Sequence, residues 1–436
     1  MPETNADEGL KRVIGVPGLA FSIVNGVIGS GIFVLPAIVG IALGAFGVFS
    51  YLVCSIMLAA ILLCYAEIGS RVTTSGGSYA YVESAFGDFA GFIVNWLYFF
   101  GWGILGSAAV INILADSLAV MFPALANPMI RGLFFFILIG FIILINIRGA
   151  KQGIGVVKGI TILKLLPIVC IIIFGFSLIK TGNLRWEKLP TLKTFGDTTL
   201  LLFYAFSGFE TSLGMSGELK NPKRTVPLGI FLGGTIILIV YMLLQMVVQG
   251  VLGADIVAYK AAPLAAVAEN IVGSIGATIL LFTAAISCFG NVHADVMATP
   301  RSLFAAAKDG MFPKFLGRVH PKFATPYLAI ITYGSLILIF SISGGFKQLA
   351  ILASAAILLI YLAVILATIK LRMKKTEYSE GTFRIPGGLT IPFIGIVSII
   401  WLLTGLSKWE FLSTLIFIAI ICLIYFMMQW IKGKRK

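Results

Sequence analysis

The sequence predicts an all-α polytopic membrane protein with about a dozen transmembrane helices. Of its 436 residues, 59% are hydrophobic and only 11% are charged, and the mean hydropathy is +1.04. Soluble domains are roughly 45–50% apolar and about 25% charged, so this chain needs lipid around its apolar side chains. Roughly 20 residues span the hydrocarbon layer, and twelve apolar runs account for the composition. Several of these runs are long enough to require tilt or to continue beyond the bilayer.

The twelve runs follow one another with short loops and leave no room for a soluble domain. They lie near residues 17–41, 47–69, 90–120, 131–147, 156–179, 197–217, 227–251, 273–300, 326–342, 346–369, 391–407 and 411–431. Residues 1–16 and 432–436 are predicted to be tails. Because the first residues are acidic and the first run is long, they do not resemble a cleavable signal peptide, and we expect the first helix to be retained.

The distribution of basic residues predicts the orientation. An even number of helices puts both termini on one side. If that side is cytoplasmic, 23 Lys and Arg lie inside and 8 outside, with Lys164 within a helix. Cytoplasmic loops are enriched in Lys and Arg, so both termini are predicted to be cytoplasmic. The predicted location is the plasma membrane. This bias also explains the net charge of +14 without a nucleic-acid partner.

The cysteines indicate neither disulfides nor a metal centre. All of them lie in apolar runs, without paired spacing or a histidine cluster: Cys54, Cys64, Cys170, Cys288 and Cys422. Free cysteine is commonly buried as a small apolar residue. No cofactor is expected.

Two apolar runs are interrupted by small residues at membrane depth, at residues 25–33 in the first run and 203–211 in the sixth. Glycine weakens a helix and permits close backbone approach. Unwound backbone in a membrane is tolerated only where it is buried or lines a cavity. Its N–H groups attract a carboxylate and its carbonyls attract an ammonium group, so a pair of such breaks suits an α-amino acid.

Close packing of glycine-rich helices is the alternative explanation for either break alone. The two breaks, however, occupy equivalent positions if residues 17–180 and 197–369 are repeats of five helices each. Five is odd, so the repeats would be inverted, and matching interruptions in two halves point to a transporter site. Residues 391–431 would then form two additional helices.

Ordered motifs along nearly the whole chain resemble the amino acid–polyamine–organocation (APC) superfamily. They are Gly29-Ser30-Gly31-Ile32-Phe33, residues 67–71 with 76–82, residues 206–210 with 217–224, and Arg301 with residues 307–313. Within the superfamily, Ser287-Cys288-Phe289-Gly290-Asn291-Val292 is most similar to bacterial relatives of the L-type amino acid transporters.

This resemblance implies a leucine-transporter (LeuT) fold, a 5+5 inverted repeat plus two additional helices, with alternating access around a midplane site. By motif, the substrate carboxylate would lie at the first break and the ammonium group at the second, with Tyr204 as an aromatic gate. The implied binding residues are Val27, Ile28, Gly29, Ser30, Gly31, Tyr204, Phe206, Ser207, Gly208 and Phe209. Residues 96–99 align loosely with pocket-lining positions.

Lys164 lies within the fifth run. One reading is that its side chain snorkels to the interface. The resemblance implies another: sodium-independent relatives carry a lysine here, whose ammonium occupies the space of a sodium ion and bridges helices 1, 5 and 8. Asn291 is the matching neighbour in helix 8.

Two acidic residues and a histidine lie within predicted helices, where charge is expensive unless it is paired or protonated. Glu210 follows the second break and could brace it or sense protons. Asp295, four residues after Asn291, could form an intracellular salt bridge, carry a proton or bind a cationic substrate. His293 is expected to be a packed, hydrogen-bonded histidine. Arg71, Glu218 and Arg224 could be ordinary surface charges or an inward gate of ion pairs.

The sequence therefore predicts a sodium-independent secondary transporter of neutral L-amino acids, working by alternating-access exchange or proton-coupled uptake. Its partners would be a small-molecule amino acid, the lipid bilayer and, in the case of proton-coupled uptake, protons. A cationic amino acid or polyamine antiporter is the alternative if Asp295 faces the substrate. A sensor, a channel or an intramembrane enzyme would belong to other classes, and the sequence contains neither an HExxH nor a GxSxG motif.

Overall fold

The computed structural model describes residues 14–72, 76–149, 154–186, 189–213, 219–308, 312–373 and 382–433. These residues are almost entirely helical. Their one β-type pairing is an isolated bridge between Ile14 and Leu219, in which the Lys220 N–H donates to the Ile14 carbonyl.

The described residues of the first half form eight α-helices. They are α1 (Val16–Val27), α2 (Leu35–Leu43), α3 (Gly47–Arg71), α4 (Ser78–Phe86), α5 (Asp88–Trp96), α6 (Leu105–Ala119), α7 (Pro128–Ile147) and α8 (Ile154–Gly175). A π-helical segment, Leu97–Ile104, joins α5 to α6. Proline stands in the first turn of α1, α2 and α7, where its missing N–H is not needed.

The second half begins with another interrupted helix. Its elements are α9 (Leu192–Phe206), α10 (Phe209–Leu213), α11 (Pro222–Leu252), α12 (Pro263–Val272), α13 (Ser274–Lys308), α14 (Tyr327–Ser343), α15 (Phe346–Met373), α16 (Thr390–Leu403) and α17 (Lys408–Gly433).

Every predicted run coincides with helical structure. Within the described ranges, 7 continuous segments could cross a membrane by length and composition, and shorter apolar helices such as α1, α14 and α16 account for other predicted runs. Two helices were not among the predicted runs. They are α4, after the second run, and α12, after the seventh, and both are too short to span a bilayer.

The order of elements is the same in the two halves: a broken helix, a long helix, a short helix and then three spans. This order agrees with a repeat of five spans. The repeat boundaries at 17–180 and 197–369 stay predictions.

The outer helices present large apolar side chains to the surroundings. On α7, Met129 is 86% exposed and Phe136 is 63% exposed. On α17, Trp409 is 79% exposed and Phe426 is 61% exposed. Exposed apolar surface on this scale would drive aggregation in water, and it is the surface expected of helices that face lipid.

The π-helical segment lets two other helices approach closely. A Cβ atom on Gly101 would lie 2.5 Å from the Ala356 Cβ of α15, and one on Gly103 would overlap the Tyr333 hydroxyl of α14. Glycine at both positions therefore keeps room for neighbouring side chains.

Candidate substrate site at the two broken helices

The first break separates α1 from α2. Helix α1 ends at Val27, and Ile28 departs from helical geometry with φ −72° and ψ 76°. The Gly29 N–H then donates to the Val27 carbonyl at 2.7 Å. A short 3₁₀ turn, Gly31–Phe33, leads into α2. The predicted interruption is therefore real, and it exposes backbone within the helix bundle.

The second break separates α9 from α10. Helix α9 ends at Phe206, and Ser207 is extended, with φ −82° and ψ 159°. Gly208 adopts φ +114°, a conformation that side chains other than that of glycine rarely allow. Helix α10 begins at Phe209.

The two breaks touch through backbone. A Cβ atom on Gly208 would lie 2.9 Å from the Gly26 carbonyl oxygen, and one on Gly26 would lie 3.2 Å from the Gly208 carbonyl oxygen. Both glycines are therefore required for this approach. The predicted site residue Gly208 therefore lies against the end of α1, and a Cβ atom on the predicted Gly31 would lie 3.7 Å from Ala205 of α9.

Tyr241 of α11 ties both breaks together, and the sequence analysis missed it. Its hydroxyl lies 3.1 Å from the Val27 carbonyl oxygen and 2.9 Å from the Ala205 carbonyl oxygen. These carbonyls belong to the last turns of α1 and α9. A lone tyrosine in a long apolar run gives no sequence signal for such a role.

Lys164 of α8 points into the bundle. Its ammonium donates to the Asn25 side-chain oxygen at 2.9 Å and to the Asn25 carbonyl at 3.0 Å, and the residue is only 7% exposed. This geometry joins α8 to α1 just before the break and does not fit snorkelling. Asn291 of α13 lies at the same break, because its Nδ2 atom is 3.4 Å from the position of a Cβ on Gly29. Among the described residues, no hydrogen bond runs from Lys164 to α13 itself.

Glu210 braces the second break. One carboxylate oxygen accepts hydrogen bonds from the Gly208 N–H at 3.1 Å and from the Tyr361 hydroxyl of α15 at 2.8 Å. Its other oxygen is buried and has no hydrogen-bond partner in the described part of the chain. The side chain therefore has both a bracing contact and a free acceptor. Tyr361 is a second partner that the sequence did not indicate.

Tyr204 lies beside the breaks between two aromatic rings. Its hydroxyl donates to the Gly106 carbonyl of α6 at 3.0 Å, and its ring centroid is 5.7 Å from that of Trp102 and 5.8 Å from that of Phe346. These contacts link α9 to α6 and α15.

The loosely aligned residues 96–99 divide between two environments. The Tyr98 hydroxyl lies 3.1 Å from the Thr211 hydroxyl of α10, next to the second break. Trp96, by contrast, stacks on Phe312, with ring centroids 4.7 Å apart, in a separate apolar cluster.

Asp295 of α13 accepts three hydrogen bonds, all from hydroxyl groups. One oxygen binds Ser107 at 2.6 Å and Tyr333 at 2.7 Å, and the other binds Thr299 at 2.7 Å. No cation of the described residues lies within salt-bridge distance of it. An intracellular salt bridge at Asp295 is therefore absent from the described structure.

His293 faces a different neighbour from Asp295. Its Nδ1 lies 3.0 Å from the Asn146 side-chain nitrogen of α7, and its ring stacks on Phe289. It is a packed and hydrogen-bonded histidine, in agreement with the sequence analysis.

A buried ion cluster lies at the end of α3 that the sequence assigns to the cytoplasmic side. The Glu67 side chain is fully buried and binds Arg71 at 2.6 Å, and it also pairs with Arg372 of α15 and accepts the Ile385 N–H at 2.9 Å. Arg71 is thus an ion-pair residue, with Glu67 as its partner. Arg224 is exposed at the start of α11, and Glu218 lies outside the described residues.

The described residues contain no group of three or more His, Cys, Asp or Glu side chains that could hold a metal ion. The five cysteines are unpaired. The chemistry at the breaks is that of backbone dipoles, hydroxyls, the Lys164 ammonium group and the Glu210 carboxyl group.

Sequence comparisons agree with this geometry. The family model described as amino acid permease matches residues 14–435. The chain is 29% identical to the serine/threonine exchanger SteT of Bacillus subtilis over 426 residues, covering 90% of each chain. It is 26% identical to the branched-chain amino acid permease BcaP of Bacillus subtilis, covering 97% of this chain and 94% of that one.

A mammalian protein is similar at the same level. The b(0,+)-type amino acid transporter 1 of Mus musculus is 25% identical, with 97% of this chain and 89% of that one covered. The match along the whole length confirms the predicted fold class, a multi-pass helical membrane transporter rather than an enzyme. The chain belongs to the amino acid permease family of the APC superfamily.

Proposed function

We propose that the protein is a sodium-independent secondary transporter that carries neutral L-amino acids across the plasma membrane by alternating access. The observation that carries this proposal is the Lys164 ammonium, which is buried and bound to Asn25 immediately before the first break. A fixed positive charge at this point removes the need for a mobile cation to neutralise the carbonyl end of α1.

The substrate class follows from the backbone at the two breaks. Helix ends present N–H groups to an anion and carbonyl groups to a cation. The two breaks approach each other through backbone at Gly26 and Gly208, so the N–H and carbonyl groups freed at both breaks lie near one another. Both halves of a zwitterion can therefore be held without a charged side chain. The named substrates of SteT and BcaP, which are serine, threonine and branched-chain amino acids, support a neutral side chain.

Alternating access requires contacts that can separate on the cytoplasmic side. We place both termini in the cytoplasm, as the distribution of Lys and Arg predicts. On that side the Ile14–Leu219 bridge closes α1 against the chain that follows α10, and the Ser22 and Ser212 hydroxyls lie 2.9 Å apart. The Glu67 cluster closes α3 against α15. Opening to the cytoplasm would break these contacts.

Two coupling modes are compatible with these residues. In exchange, a second amino acid binds on the opposite side and the transporter returns to its starting conformation with it. In proton-coupled uptake, the free oxygen of Glu210 would take up a proton as the second break rearranges. An imposed pH gradient that drives uptake into substrate-free vesicles would indicate proton coupling, whereas uptake that requires internal amino acid would indicate exchange.

The test of the proposed function is uptake by purified protein in proteoliposomes, in a choline medium. Labelled L-serine and L-leucine should enter, unlabelled L-amino acids should compete, and internal substrate should stimulate entry. A channel would show no such counterflow, and a sensor would bind amino acids without moving them. Hydrolysis of a substrate that stops on mutation of a paired acid would indicate an enzyme instead. Absence of uptake for every amino acid in either coupling mode would contradict the proposal.

A further inference from the structure

Asp295 is a carboxyl group at membrane depth whose described partners are all neutral. Ser107 of α6, Thr299 of α13 and Tyr333 of α14 each donate to it at 2.6–2.7 Å. Charged side chains inside a bilayer are expensive and generally pair with another charge or face a water-filled pathway. In the described structure, no basic side chain provides that charge.

The position of Asp295 relates it to the proposed amino acid site. Asn291 contacts the first break at Gly29, and Asp295 follows four residues later on the same helix. Residues four apart lie on one face of a helix, about 6 Å apart along its axis. This separation is comparable to the reach of an aminoalkyl side chain from the carboxylate of an amino acid.

The aromatic residue beside the breaks contacts the same part of α6. Tyr204 donates to the Gly106 carbonyl, and the next residue, Ser107, donates to Asp295. Gly103 of the π-helical segment leaves space for the Tyr333 hydroxyl, which a side chain at this position would fill. Elements from the first and second halves of the chain thus converge on the carboxyl group and the break.

We propose that Asp295, held by Ser107, Thr299 and Tyr333, binds the side-chain ammonium of cationic L-amino acids and extends the substrate range beyond neutral ones. The proposal rests on the transport function proposed above. An ammonium group can be accommodated here because each carboxylate oxygen can accept several hydrogen bonds and hydroxyl groups rotate to suit a new partner. When a neutral amino acid is bound, the three hydroxyls continue to satisfy the carboxyl group.

The first test uses the wild-type protein in proteoliposomes. Unlabelled L-ornithine and L-lysine should inhibit the uptake of labelled L-leucine or L-serine and should themselves be transported. Putrescine has ammonium groups but no carboxylate for the first break, so it should not compete. If neutral uptake is normal and neither diamino acid competes, the proposal is overturned while the transport function stands. Equal competition by putrescine would overturn the assignment to amino acids.

The second test is Asp295→Asn, which keeps the size of the side chain and removes its charge. Truncating one partner of a buried charge pair weakens binding strongly, so the inhibition constant for L-ornithine should rise by about 30-fold or more. The affinity for the neutral amino acid should stay within about threefold, which also shows that the variant is folded. Equal losses for both substrates, or no loss for either, would contradict a specific role in cation recognition.

A second variant covers a failure of Asp295→Asn to fold. Thr299→Val removes one donor and leaves the carboxyl group in place. Because the Thr299 hydroxyl then no longer competes for the carboxylate, the inhibition constant for L-ornithine should fall by about twofold or more relative to that for the neutral amino acid. Selective loss of ornithine transport in Thr299→Val would show that the hydroxyl, rather than the carboxyl group, recognises the cation, and would overturn the proposal.

Discussion

Replacing Gly208 with alanine adds only one methyl group, but it should weaken substrate binding strongly. Gly208 has φ +114°, and a Cβ atom there would lie 2.9 Å from the Gly26 carbonyl oxygen. The obstructing atom belongs to the backbone and cannot rotate away. A residue other than glycine held in an unfavourable backbone region costs roughly 1–3 kcal/mol. The two breaks must therefore separate, or the substituted residue must remain strained.

The expected effect on transport follows from that strain. If the strain destabilises the conformation that binds substrate by about 1–3 kcal/mol, the affinity for substrate falls by about 5- to 150-fold. We expect Gly208→Ala to show such a loss in equilibrium binding of labelled L-leucine or L-serine to purified protein, while eluting as a monodisperse species. Gly208→Val should abolish measurable binding.

The matched control is Gly140→Ala in α7, where nothing lies within 4 Å of the added Cβ and φ is not positive. It should bind substrate normally, because alanine is also the better helix former. Gly29→Val provides a comparison within the site. Its added atoms would face the flexible Asn291 side chain at 3.4 Å, so it should impair binding without comparable backbone strain. Native affinity in Gly208→Ala would refute the reasoning.

Three further variants probe the contacts around the breaks. Lys164→Ala should strongly reduce the initial uptake rate, and Lys164→Arg should not restore it fully, because a planar guanidinium cannot reproduce the compact ammonium bound to Asn25. Tyr241→Phe leaves two buried carbonyls without their donor, which costs about 1–3 kcal/mol, so thermal stability and uptake should both fall. Glu67→Gln should lower the free energy of unfolding by about 3–5 kcal/mol, since it removes the buried negative charge that pairs with Arg372.

The tyrosine and glutamate variants each have a control of similar size. Tyr51→Phe removes a neighbouring hydroxyl to which the described structure assigns no hydrogen bond, so it should be close to neutral. Asp116→Asn breaks a half-exposed ion pair, for which about 0–1 kcal/mol is expected. The assigned contacts would be contradicted if Tyr241→Phe lost no more thermal stability than Tyr51→Phe. The same holds if Glu67→Gln lost no more than Asp116→Asn. Near-wild-type uptake by Lys164→Ala would indicate that this lysine has only a structural role.

The sequence predicted the spans and the two breaks because both have local causes. Apolar length identifies a span, and glycine within an apolar run identifies a break. The breaks at Ile28 and Gly208 lie where the glycine-rich motifs placed them. Lys164 stood out for the same reason, since a lone ammonium within an apolar run is itself unusual.

The partners of these residues could not be predicted, because they come from distant parts of the chain. Tyr241 reaches two carbonyls from the middle of α11, and Tyr361 reaches Glu210 from α15. Tyrosine in an apolar run is compatible with a core, an interface or a hydrogen bond, so its type does not reveal its partner. The hydroxyl groups around Asp295 likewise come from three helices, and only packing shows that they converge.

The most direct test of the account compares sodium with choline in proteoliposomes that contain the wild-type protein and internal L-serine or L-leucine. The account predicts equal initial rates of labelled amino acid uptake in the two media, because the ammonium of Lys164 supplies the fixed charge at the first break. Uptake that requires sodium and vanishes in choline would contradict the central claim.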